Sequence, residues 1–96
     1  MKKKKVITEI RRIFKENASE IDTTHLYNAL GIVGGKKAVK AIMSLYAVDS
    51  EMLTRVIEAL GAAGGKHAIQ ELLAMEKAHP DNRHQIIVAL ANAATR

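Results

Sequence analysis

Ala29-Leu30-Gly31-Ile32-Val33-Gly34-Gly35-Lys36-Lys37-Ala38 returns thirty positions later as Ala59-Leu60-Gly61-Ala62-Ala63-Gly64-Gly65-Lys66-His67-Ala68. A third, altered copy begins in the same phase at Ala89-Leu90. Residues 24–38 and 54–68 are identical at eight of fifteen positions: one Thr, the Ala-Leu-Gly triplet, Gly-Gly-Lys and a closing Ala. A repeat of this length implies one supersecondary unit stacked on itself, because a single unit cannot bury its own apolar face.

Apolar spacing inside each unit is helical. Leu26, Tyr27, Leu30 and Val33 lie on one face, as do Leu53, Val56, Ile57 and Leu60. After the Gly-Gly pair the pattern resumes with Val39, Ile42, Met43 and Tyr46, then with Ile69, Leu72, Leu73 and Met75. Glycine tolerates the left-handed backbone that ends a helix, so each unit reads as a hairpin of an A helix and a B helix. Ile7, Ile10, Ile13 and Phe14 match the B stripe on a shift of thirty-two. Ile86, Ile87, Leu90 and Ala93 match the A stripe, with Pro80 or Asp81 placed to start that helix and Asp49-Ser50 to start its predecessor. The expected order is B, A, B, A, B, A, at about residues 3–17, 22–33, 36–47, 50–63, 65–78 and 81–94. This is an all-α chain without strands, one domain over 1–96. It divides into a half repeat 3–18, repeats 19–48 and 49–78, and a half repeat 79–96.

The pattern A-L-G-x-x-G-G-K-x-A-[VI] on this period resembles the short HEAT-like repeats of the phycobilisome-lyase type. The likeness covers residues 19–96 and, as a half repeat, the first helix. It implies a short α-solenoid of about three HEAT-like hairpins whose B helices line a concave surface, and in most members a protein-binding scaffold. A few members are bilin lyases, and larger HEAT-like proteins include DNA-alkylation glycosylases. The Asp-Pro usual before each A helix is missing here, approximated only by His79-Pro80-Asp81.

Composition narrows the function classes. Ninety-six residues that are 48% hydrophobic and 26% charged describe a globular domain. With no cysteine there is no disulfide framework, thiolate chemistry or Cys-type zinc site. No apolar run approaches the roughly 18 residues of a membrane span. The lysines at 2–5 do not open a signal peptide either, since Glu9, Arg11 and Arg12 interrupt the stretch that follows. A cytoplasmic protein is the expectation. The net charge of +5 sits wholly in residues 1–16, and residues 17–96 balance eight basic against eight acidic side chains.

Gly61-Ala62-Ala63-Gly64-Gly65-Lys66 superficially resembles a phosphate-binding loop. It has three residues rather than four between the first Gly and Gly-Lys, and His67 follows where Ser or Thr is needed. The run is a helix-ending turn, and Gly31 and Gly61 are packing glycines. His25, His67, His79 and His84 form no metal-ligand spacing. Neither a nucleophile–base set nor a carboxylate pair stands out. A non-catalytic protein without cofactor or metal is therefore expected.

Two surfaces remain for partners. The solvent side of the B helices carries Arg11, Arg12 and Lys15, then Lys36, Lys37 and Lys40, then Lys66, His67 and Gln70. Such a stripe is either a solvated polar face or a groove for an acidic protein segment or a phosphate backbone. For the groove, the residues of interest are Arg11, Arg12, Lys37, Lys40, His67 and Gln70. The last helix is apolar around much of its girth, and Ile87 and Val88 mark its outer side. That side either meets further repeats of a longer array or binds a partner, a second copy included. The expected function is a protein-interaction or scaffold module, with phosphate-backbone nucleic-acid binding as the alternative.

Overall fold

The computed structural model describes residues 2–96, and within them every regular element is helical. The order is α1 (Lys3–Glu16), α2 (Thr23–Val33), α3 (Gly35–Val48), α4 (Leu53–Ala63), α5 (Gly65–Ala78) and α6 (Arg83–Thr95). Helices α2, α4 and α6 form one layer and α1, α3 and α5 the other, so the chain is an α-solenoid of stacked hairpins. No helix among the described residues is long and apolar enough to cross a membrane.

The hairpin turns follow from the glycine pairs. One residue, Gly34, separates α2 from α3, and Gly64 likewise separates α4 from α5. Gly34 has φ 70° and ψ 179°, and Gly64 has φ 73° and ψ 177°, a region open essentially to glycine alone. Their amides donate back to the Leu30 and Leu60 carbonyls, closing the A helices. Gly35 and Gly65 also have positive φ and open the B helices.

The A helices start differently. Asp22 caps α2 by accepting from the Thr24 amide at 2.8 Å, and that bond holds its carboxyl below the ordinary carboxylate value. Ahead of α4 and α6 the expected helical starts are replaced by single turns of 3-10 helix, Ser50–Met52 and Pro80–Asn82. Asp49 accepts from the Glu51 amide at 3.2 Å, which tightens the first of these turns.

One continuous core fills the space between layers. Tyr27, Leu30, Ile42, Val56, Ile57, Leu60, Leu72 and Ile86 are almost fully buried. Each such aliphatic side chain contributes about 1.5–3 kcal/mol. Burial also pushes the Tyr27 hydroxyl above its ordinary value, with Asp49 and Tyr46 adding to the shift. No buried side-chain polar atom among the described residues lacks a partner. Ile13, expected in the B stripe, is instead 45% exposed, because no helix among the described residues covers that side of α1.

The A layer is the tightly packed one. A Cβ placed on Gly31 would lie 3.0 Å from Ala62 Cβ, and one on Gly61 would lie 3.1 Å from Ala89 Cα. The glycines let successive A helices approach backbone to backbone.

Candidate interaction surfaces

On the B layer, a groove of about 450 Å³ runs between α3 and α5. Val39 and Met43 form its apolar floor, and Lys36, Lys40, His67 and Gln70 stand around it, with Glu71 and Ser44 completing the lining. The structure thus brings Lys40, His67 and Gln70 together and adds Lys36. Lys37 is exposed on α3 but lies outside this lining.

The groove opens toward basic helix starts. Neither α3 nor α5 has a side-chain cap or an acidic residue in its first turn, so amides at the positive end of each helix lie near Lys36 and Lys37, or Lys66 and His67. Lys3 reaches the same edge from α1, its Nζ 3.8 Å from the Cβ position of Gly35. Among the described residues the ion pairs involve Arg12, Arg55 and Arg83 but no lysine.

Arg12 is engaged locally. Its Nε lies 2.9 Å from Glu9 Oε2 and its Nη1 3.1 Å from Glu16 Oε1, which raises its pKa further above the ordinary guanidinium value. Its charge is compensated within α1, whereas the exposed Arg11 beside it makes no ion pair among the described residues. The i−3 and i+4 spacing of Glu9 and Glu16 was the available signal.

A larger groove, about 630 Å³, lies on the A layer between α4 and α6. Ile57, Gly61, Ala62 and Ala89 line its base, and Thr54, Glu58, His84, Gln85, Val88, Asn92 and Arg96 stand around it. Sequence reasoning missed this feature. Its trace was the set of small residues Gly61, Ala62 and Ala89, together with Val88 where the earlier copies have Asn28 and Glu58.

Arg96 was also missed. Its guanidinium donates to the Gly31 carbonyl at 3.3 Å, to the Ile32 carbonyl at 2.7 Å, and to the Ala62 carbonyl. These are last-turn carbonyls of α2 and α4, where a cation suits the negative end of each helix. Tyr46 and His79, each half-buried, meet through the Tyr46 hydroxyl and His79 Nε2 at 3.3 Å. No group of three or more potential metal-ligating His, Cys, Asp or Glu side chains converges among the described residues.

The outer side of α6 is apolar and open. Ile87 is 66% and Val88 60% exposed, while Ile86, Ala89 and Ala93 on the same helix are buried. Val88 lines the adjoining A-layer groove, and Ile87 lies outside that lining.

Comparison with models of known protein families, with curated proteins and with solved structures finds no match to this chain.

Proposed function

We propose that this chain is a HEAT-like repeat of the phycobilisome-lyase type and acts as a non-catalytic interaction module. Its B-layer groove takes an acidic segment of a partner protein. The observation that carries this reading is the α3–α5 groove, where Lys36, Lys40 and His67 surround the apolar floor of Val39 and Met43. A segment with one apolar side chain flanked by carboxylates fits that combination. The uncapped starts of α3 and α5 add positive potential at the groove's end.

Phosphate-backbone binding is the second reading, favoured by the absence of ion pairs to the lysines among the described residues. Against it, the three aromatic residues, Phe14, Tyr27 and Tyr46, are buried or half-buried, so none offers an open face for base stacking.

Titration with a fluorescent peptide rich in Glu and Leu, beside a single-stranded oligonucleotide of equal charge, tests the choice. The proposal expects the peptide to bind more tightly at moderate salt, and Lys36→Glu with Lys40→Glu to remove binding. Preference for the oligonucleotide, with affinity falling about ten- to a hundredfold between about 0.05 and about 0.2 M salt, would favour the phosphate reading.

A further inference from the structure

The lateral edge of α6 is the third copy of an edge used twice inside the molecule. Positions 27 and 31 share one edge of α2, and 57 and 61 share the matching edge of α4, four residues apart in each case. Gly31 meets Ala59 and Ala62 on α4, and Gly61 meets Ala89 on α6. Tyr27 and Ile57 are accordingly 1% exposed, but Ile87 on the corresponding edge of α6 is 66% exposed. Leu73 on α5 adds to the patch, being exposed where Met43 in the preceding copy is partly covered.

Continuation of the array by the front of another copy does not fit this edge. The internal A–A approach needs a glycine facing a small residue, yet the third copy has Ala91 at the glycine position. The front of the chain has Ile32 where α4 has Ala62, so both partners would bring excess volume to a contact where a Cβ added to the glycine alone would already lie 3.0–3.2 Å from its neighbour. Desolvation opposes it as well, because α1 carries the exposed Glu9–Arg12–Glu16 ion-pair network, which an apolar edge packed on it would strip of water.

The side chains left uncovered on this edge, Ile87 and Leu73, are apolar and 66% and 49% exposed. We propose that a second copy of this chain packs on it tail to tail, Ile87 and Leu73 of one protomer meeting the same edge of the other across a two-fold axis. An isologous contact of this kind closes at two protomers, because it covers the same edge on each. Two adjacent helices, each about 20 Å long and about 10 Å across, present about 400 Å². Stable dimers bury about 800 Å² per partner, so the dimer is weak and depends on concentration. It leaves the α3–α5 groove free and does not rest on the acidic-segment reading.

Sedimentation velocity of the full chain, from about 10 µM to about 1 mM, tests the proposal. The expected mass climbs from 10.5 kDa toward twice that value and no further. It changes little between about 0.05 and about 0.5 M salt, since the contact is apolar. Ile87→Lys, and separately Leu73→Lys on the neighbouring helix, should remain monomeric throughout while keeping the wild-type circular dichroism and melting curve. Ile32→Lys, at the front of the array, should dimerise as the wild type does. A wild-type monomer at about 1 mM, or a dimer that survives both edge substitutions, would overturn the proposal. So would loss of the dimer in Ile32→Lys, or growth beyond two protomers, either of which marks head-to-tail contact. Failure of peptide binding would leave all these outcomes unchanged.

Discussion

Gly61→Ala should destabilise the protein, although alanine is the better helix former. In an open helix the exchange gains about 1 kcal/mol from propensity. Here the added methyl would meet Ala89 Cα at 3.1 Å, and its Cβ and carbonyl oxygen each at 3.2 Å. None of these atoms can move by rotating a side chain, so α6 itself must shift. Overpacking of this kind costs about 1–3 kcal/mol, and the net result is a loss of about 1 kcal/mol. For a domain of this size, that lowers the melting temperature by about 4–8 °C. The equivalent exchange one repeat later has no neighbour to offend, because Ala91 is exposed. Ala91→Gly should therefore also lose about 1 kcal/mol, from propensity alone. Thermal and urea unfolding of both variants, at a concentration where the chain is monomeric, measures the pair. A Gly61→Ala protein more stable than wild type would refute the close approach of α4 and α6.

Further expectations concern the turns, a cap and a long-range contact. Gly65 has φ 84° with nothing within 4 Å of an added Cβ, so Gly65→Ala should cost only the backbone penalty, about 1–2 kcal/mol. Gly65→Asn should cost less in the same urea series, as asparagine tolerates this region better. Asp22→Ala should lower the melting temperature near neutral pH. Because the folded carboxyl titrates below its unfolded value, its stabilisation is present above that value and disappears as pH falls through the folded one. The gap between wild type and variant should thus close in acid below about pH 4, and a gap that widens there would contradict the cap. Tyr46→Phe removes the 3.3 Å contact with His79 and should cost about 0.5–1.5 kcal/mol, read by urea unfolding.

Much of the fold was legible because it is periodic. The Gly-Gly pairs located both hairpin turns, and the apolar stripe placed the helix starts and ends within about two residues for most elements. The starts of α4 and α6 were less legible, since the polar residues at Asp49-Ser50 and Pro80-Asp81 suit a 3-10 turn as well as a cap. Ile13 matched the stripe yet is largely exposed, because a pattern records which face is apolar but not whether a neighbour exists to cover it. The B-layer groove was partly legible for the same periodic reason: Lys40 and Gln70 are thirty residues apart and occupy equivalent positions on α3 and α5.

What periodicity hid was contact between distant, non-equivalent positions. Arg96 reaches carbonyls 64 and 65 residues earlier in the chain, and Tyr46 meets a histidine 33 residues later. Neither pairing has a local signature. The A-layer groove arises where several small side chains coincide, and no single one of them announces a cavity.

Backbone amide NMR of the full chain, titrated with the Glu- and Leu-rich peptide at moderate salt, tests the proposed function most directly. Saturable shifts are expected, concentrated at Lys36, Lys40, Met43, His67 and Gln70, with the amides of α6 unmoved. Shifts confined to the α4–α6 groove around Glu58, His84 and Asn92, or none at all, would contradict it.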